Sequence, residues 1–239
     1  MEKINLNKFI ADNSSYSRRQ TEDLIRRGLV RINGKTAELG QKIKSQDEVE
    51  VNGEKIRTDI KKVYTKLNKP VGYVCSNRLF KGEKNIFSLV DIDEKLFSIG
   101  RLDKDSCGLI ILTNDGDLTY KLTHPKFEHQ KTYLVTLKKD FRLKNNNLIK
   151  ELEDKFRKGV DIKEKTLARV KEIIFLSEND VKIVLAEGKK RQIREMFKFF
   201  NLRIERLQRI NFAGVGLGVL REGEWEYLSQ DEVRKLNKI

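Results

Sequence analysis

The sequence predicts an α+β protein in two parts, a small module of helices and tight hairpins followed by a larger domain on a mixed, largely antiparallel sheet. Three observations carry this. Two helical patterns open the chain, Leu6, Phe9 and Ile10 at helical spacing and then "SRRQTEDLIRRGL". Two Asn-Gly pairs, Asn33-Gly34 and Asn52-Gly53, lie between alternating strands, a strong short-range hairpin signal. From residue 63 onward, short strand-like stretches are separated by hairpin-length loops, which favours antiparallel or mixed pairing over a doubly wound parallel sheet.

Taken in order, the second helix begins with Ser17 as N-cap and Gln20 three residues later, the capping-box pattern, and stops at Gly28. Its Leu24 and Ile25 face a core, while Arg18, Arg19, Arg26 and Arg27 crowd its two ends. The hairpins "LVRINGKTAEL" and "DEVEVNGEKI" follow. Apolar periodicity is then lost in "GEKIRTDIKK", which places a joint near residue 60 and divides the chain into 1–60 and 61–239. In the second part, "VYTKLNKPVGYVCS", "LFSIG", "LIILTN", "KTYLVTLK", "ARVKEIIFL" and "DVKIVLAEG" read as strands, "KNNN" at 144–147 as a loop, and "KRQIREMFKFF" as a helix. In that helix Ile193, Met196, Phe197 and Phe200 share one face, and Arg191, Arg194 and Lys198 fall on another.

At 239 residues the chain can bury a sizeable core. Its 50 Lys and Arg against 36 Asp and Glu leave a formal charge of +14, which points to a polyanionic partner. The excess is +2 over residues 1–60, +8 over 61–160 and +4 over 161–239, so it is spread along the chain and not confined to a tail. No apolar run approaches a membrane span, and the first twenty residues lack a secretory h-region, so a cytoplasmic protein with no membrane partner is expected. Cys75 and Cys107 stand far apart without a C-x-x-C partner and read as reduced thiols.

The segment "SIGRLDKDSCGLIILTNDGDL" places Arg101, Asp103, Lys104 and Asp105 in a short loop between two apolar strands, the setting in which loops carry chemistry. Calcium does not explain it. Asp103, Asp105 and Gly108 mimic three EF-hand positions, but Cys107 and Asn114 occupy two of the others. "AEGKKRQ" lacks the first glycine and the Ser/Thr of a phosphate-binding P-loop, and two histidines, His124 and His129, without a Cys/His cluster do not make a zinc site, so no metal is expected. What remains is an aspartate acting as a nucleophile, kept ionised and aimed by an arginine. Arginines from the "EGKKRQIREMF" helix are candidates for that partner. Later in the chain Arg203, Arg206 and Arg209 alternate with Ile204 and Leu207 and suit either a cleft lining or the wet edge of a strand.

Over its first quarter, in "LNKFIADNSSYSRRQTEDLIRRGLVRINGK", the chain resembles the S4 RNA-binding domain. The resemblance implies phosphate contacts by Ser17, Arg18, Arg19, Arg26, Arg27 and Lys35. Basic side chains at a helix terminus and adjoining loop bind backbone phosphates without reading sequence.

Over essentially its whole length, in "LNKPVGYVCS", "IGRLDKDSCGLIILTNDGDLTYKLTHP", "KTYLVTL", "EGKKRQIREMF" and "GEWEYL", the chain is similar to the bacterial ribosomal-RNA pseudouridine synthases of the small-subunit (RsuA) type, which carry an N-terminal S4 domain. The resemblance implies that Asp103 is catalytic and that Arg101 stands beside a flipped nucleotide. It further implies that Tyr133 packs on the uracil, that Arg194 pairs with Asp103, and that Lys69, with Pro70 and Gly72, lies near the site. Lys69 and Arg191 are carried as RNA contacts. The implied partner is 16S or 23S ribosomal RNA, free or in an assembling particle, bound by a monomer, and the isomerisation needs no cofactor. The rival expectation is a non-catalytic S4-containing RNA-binding or ribosome-assembly protein.

Overall fold

The computed structural model describes residues 3–76, 78, 81–139, 143 and 145–238. They form two compact units, Met1–Lys62 and Val63–Ile239.

In the first unit β1 (Ile4–Asn5) leads into α1 (Leu6–Asp12), and α2 (Arg18–Arg26) follows. Both halves of the expected capping box form: Ser17 Oγ accepts the Gln20 amide at 3.2 Å, and Gln20 Oε1 accepts the Ser17 amide at 2.8 Å. Next come β2 (Val30–Ile32), β3 (Lys35–Thr36), β4 (Lys42–Ile43), β5 (Val49–Val51) and β6 (Glu54–Lys55). Asn33 and Gly34 at φ 49° and 78°, and Asn52 and Gly53 at 52° and 83°, give both turns the paired left-handed geometry that two-residue hairpins require. Leu6, Ile10, Leu24, Ile25, Val30, Val49 and Val51 close the core beneath them.

The second unit is built on nine strands in one sheet: β7 (Tyr64–Lys69), β10 (Phe97–Ile99), β11 (Cys107–Thr113), β12 (Lys131–Leu137), β13 (Glu172–Phe175), β14 (Asp180–Leu185), β15 (Ile204–Phe212), β16 (Val215–Gly216) and β17 (Trp225–Tyr227). Their order is β13-β14-β12-β15-β11-β7-β17, with β10 on β11 and β16 on β15. Among the described residues only β11 and β15 of this sheet run parallel; its other pairings are antiparallel, as expected. A separate parallel pair, β8 (Tyr73–Val74) with β9 (Lys84–Asn85), stands outside it. β11 is buried at all seven positions, which is why "CGLIIL" runs without a polar alternation, and the closing Thr113 donates its hydroxyl to the Val63 carbonyl. The central place of β11 anchors the loop that precedes it.

Among the described residues four α-helices accompany the sheet: α3 (Gly116–Thr123), α4 (Asn146–Lys158), α5 (Gln192–Phe199) and α6 (Gln230–Asn237). The expected loop at 144–147 is corrected in part: Asn145 caps α4 by accepting the Asn147 amide, so Asn146 and Asn147 are already helical, and Lys144 lies outside the described residues. A local cap outweighs the poor helix propensity of asparagine. In α5 the apolar face buries Ile193, Met196 and Phe197, with Phe197 edge-on to Phe156 of α4 at 5.1 Å, and so the arginines of α5 turn toward the other side. Cross-strand register then aligns Lys69, Gly108, Arg209 and Tyr133 in one row over four strands. That row underlies the site.

Candidate active site

The loop between β10 and β11 is held at every residue from 102 to 106. The Leu102 amide reaches Cys75 Sγ at 3.4 Å, and the Cys75 thiol faces the Leu102 carbonyl at 3.5 Å. The Ser106 amide closes a turn on the Asp103 carbonyl at 3.1 Å, and the Gly72 amide donates to the Lys104 carbonyl at 2.7 Å. Arg194 Nη2 donates to the Asp105 carbonyl at 2.7 Å, and the Lys69 ammonium donates to the Ser106 carbonyl at 2.5 Å. A loop satisfied through its backbone from both sides has little freedom, and its side chains are aimed in advance.

Asp105 is the hub of this clasp. Its carboxylate takes the Arg191 guanidinium as a fork, with bonds of 3.1 and 2.8 Å, and stands 3.3 Å from Arg194 Nε. The Arg191 hydrogen bonds, aided by the nearby Arg194 charge, hold the Asp105 carboxyl below its ordinary pKa in spite of partial burial, and Asp105 raises Arg191 in turn. For Arg194 burial outweighs the ion pair and lowers its value. Arg191 sits at φ 51°, a left-handed backbone that costs a side-chain-bearing residue about 1–2 kcal/mol. The fork to Asp105 comes with that conformation.

The expected pairing of Arg194 with Asp103 is therefore corrected: Arg194 serves Asp105, two residues on. The tight turn at 103–106 sends the two carboxylates in different directions, and α5 approaches from the Asp105 side. Among the described residues no hydrogen bond or ion pair engages the Asp103 carboxylate, although both arginines feel its charge at longer range. Half-buried, Asp103 instead faces a cavity of about 940 Å³.

Arg101, Asp103, Tyr133 and Arg191 all line that cavity, so four of the expected site residues come together. Arg101 is exposed, while Tyr133 is only 9 % exposed. Lys131 adds a cation whose Nζ donates to the His129 carbonyl at 3.2 Å, and burial lowers its pKa. Sequence reasoning undervalued Arg209, which is 1 % exposed, lines the cavity and donates from Nε to the Leu109 carbonyl at 2.7 Å. It is the direct cross-strand partner of Tyr133, and paired residues of neighbouring strands project to the same face. The signal was present, because period two puts Arg209 on the same side as buried Leu207. Arg206, by contrast, is exposed and pairs with Glu222 at 2.6 Å.

Lys69 is a second correction. It is fully buried, so it does not contact RNA; its ammonium holds the Ser106 and Pro70 carbonyls. Burial pushes its pKa down. In the first unit Arg18, Arg19, Arg26, Arg27 and Lys35 are all exposed, Arg27 lying 3.7 Å from Asp23, whereas the Ser17 hydroxyl is engaged in the cap. Two arginines at the positive end of a helix dipole are unfavourable without an anion.

Comparison with known proteins identifies the family. Residues 63–199 match the RNA pseudouridylate synthase family, and residues 5–49 match the S4 domain. The dual-specificity RNA pseudouridine synthase RluF of Escherichia coli (strain K12) is 37 % identical over 99 % of this chain and 79 % of its own length. The ribosomal large subunit pseudouridine synthase B of Bacillus subtilis (strain 168) is 35 % identical over 98 % of this chain and 96 % of its own. A crystal structure of a pseudouridylate synthase superposes with a TM-score of 0.70 at 33 % identity, covering 98 % of this chain and 99 % of that one. None of these three is named as a non-catalytic assembly protein. A matching family model over more than half of the chain, with relatives at 35–37 % identity over nearly all of it, shows that the chain belongs to the RNA pseudouridylate synthase family.

Proposed function

We propose that the chain isomerises a uridine of ribosomal RNA to pseudouridine, with Asp103 as the nucleophile. The observation that carries this is the Asp103 carboxylate itself, rigidly mounted, unclaimed by any cation of the described fold, and open to a cavity walled by Tyr133. A uridine stacked in RNA is out of reach of such a group, so it must be extruded, at a few kcal/mol. Stacking on Tyr133 returns about 1–3 kcal/mol, and Arg101 at the mouth holds the displaced backbone.

Asp103 then adds to the ribose C1′ or to the uracil C6. In either route the C1′–N1 bond breaks, the base turns, a C1′–C5 bond forms, the C5 proton leaves, N1 gains a proton and the carboxylate is released. The sum is an isomerisation that consumes no cofactor or metal. Arg191 and Arg194 act through Asp105, fixing the loop, while Lys69 fixes it through the Ser106 carbonyl. Arg18, Arg19, Arg26, Arg27 and Lys35, assigned to the S4 domain at residues 1–60, hold RNA phosphates for the catalytic domain at 61–239. One copy of the chain, acting in the cytoplasm, suffices for so large a substrate. Large-subunit RNA is the favoured target, since the Bacillus subtilis relative that matches along nearly its whole length is named for that subunit.

The test is a map of pseudouridines in 16S and 23S RNA, by carbodiimide labelling and primer extension, from cells with and without the gene. One site lost from 23S RNA and restored by the wild-type gene is the expected result. An unchanged map in both RNAs would overturn the assignment.

A further inference from the structure

Between the cavity and the surface runs a short chain of aromatic rings that the chemistry above does not use. His129 and His124 belong to the cavity wall. The Phe127 ring stacks on His129 at 5.9 Å and 18°, His124 lies 5.0 Å from Tyr120, and Tyr120 meets Phe127 edge-on at 6.4 Å. Tyr120 is 53 % exposed and sits on the side of α3 away from buried Leu118 and Leu122, a position where folding asks for nothing aromatic. Over these rings stands the Lys126 ammonium, 4.6 Å from the Phe127 centroid and 5.7 Å from that of Tyr120.

The rings are held in place by the backbone beneath them. Pro125–Phe127 forms a 3-10 turn whose first amide, Lys126 N–H, donates to His124 Nδ1 at 3.3 Å. Glu128 ends that turn at φ 50°, and His129 Nε2 lies 3.0 Å from the Lys121 carbonyl, to which it donates. A rigid rim of this kind binds without paying to order itself.

We propose that Tyr120, His124 and Phe127 form a stacking site for an unpaired RNA base next to the uridine admitted to the cavity, with Lys126 on its phosphate. This rests on the function proposed above. Extruding one nucleotide leaves a neighbouring base with a bare face, and a ring at the rim covers it. Stacking tolerates any base, because each has a π-face. On its exposed turn the Lys126 side chain, which lies against the ring faces in the free chain, exchanges that contact for the phosphate of a stacked nucleotide, and the chain's charge of +14 suits that polyanion. The site supplies affinity near the catalytic loop without touching Asp103.

The experiment compares the full chain with its Tyr120→Ala, Tyr120→Leu and Tyr120→Trp variants, measuring Kd for 23S and 16S transcripts and, separately, kcat and KM for tritium release from 5-³H-uridine. Ala and Leu are expected to raise Kd and KM by roughly 5- to 150-fold, the worth of one stacked base, with kcat at saturation unchanged. Trp keeps both near wild type. Lys126→Ala, on an exposed turn, weakens binding at low salt and much less at high salt. Equal Kd and KM for wild type, Ala and Leu would overturn the stacking site. So would a Trp variant as weak as Ala, since a π-face would then not be what counts. Failure of the underlying reading looks different: wild-type protein would bind RNA and release no tritium.

Discussion

Asp105 Oδ2 stands 2.8 Å from Arg191 Nη2 and 3.3 Å from Arg194 Nε, so one carboxylate ties the start of α5 to the loop that carries Asp103. Replacing it with the isosteric amide tests what that tie does. Asp105→Asn leaves two neighbouring guanidinium groups without their paired carboxylate and frees the loop; a misplacement of about 1 Å lowers kcat on the order of 10²-fold. RNA affinity is expected to hold. Single-turnover rates and filter-binding affinities check both, and an Asn variant with wild-type kcat would remove the positioning role.

The same clasp gives a pH signature. Because the native Asp105 value lies below the unfolded one, the unfolded chain takes up the proton first as the solution is acidified. Its contribution is complete above the ordinary carboxylate value, about 4, and disappears as pH falls through the native one. The difference in urea midpoint between wild type and Asp105→Asn should therefore be constant from neutral pH down to that region and shrink below it. A difference that grew on acidification would carry the wrong sign.

Lys69→Met separates holding a loop from holding RNA. Without the ammonium the buried Ser106 carbonyl loses its donor, which costs about 1–3 kcal/mol, read as a lowered urea midpoint. Turnover falls with it while RNA affinity stays. Weakened RNA binding with an unshifted midpoint would return Lys69 to the RNA surface.

Gly108 has φ 103°, and a Cβ there would run into the Arg209 carbonyl oxygen and amide nitrogen on β15. Gly108→Ala must strain the backbone and part β11 from β15, a loss of roughly 1–3 kcal/mol from the dihedral alone. At this chain length each kcal/mol lowers Tm by about 2–4 °C. Calorimetry showing an unchanged Tm would mean that the parallel pairing is looser than described.

How much of this the sequence discloses follows from distance along the chain. The capping box of Ser17 and Gln20 and the two Asn-Gly turns are interactions within three residues, and they fold as read. The buried run 107–113 is legible because a strand covered on both faces has no polar position to spare. Arg194 and Asp105 are 89 residues apart in sequence; motif spacing brings the helix to the loop but does not say which of two aspartates, separated by one lysine, the guanidinium meets. Lys69 was misread for a similar reason. Proximity to a site in sequence leaves open whether a side chain reaches the cavity or is buried within the fold, and what decides is the burial of Lys69 with its ammonium on the Ser106 carbonyl.

In the first unit, Arg18→Ala with Arg19→Ala should weaken RNA binding and reduce the dependence of log Kd on log salt by about one unit per lost phosphate contact. kcat at saturating RNA stays as it was. Unchanged affinity and salt slope would take those arginines off the RNA.

The central claim is that the Asp103 carboxylate breaks and remakes the bond between base and sugar. The measurement that tests it most directly is tritium release from 5-³H-uridine in unmodified 23S and 16S transcripts, naked and as partly assembled particles, by wild type and Asp103→Asn in parallel. Wild type should release one equivalent per transcript of its target RNA and Asp103→Asn none, with RNA affinity nearly equal. Release by Asp103→Asn at the wild-type rate would contradict the account.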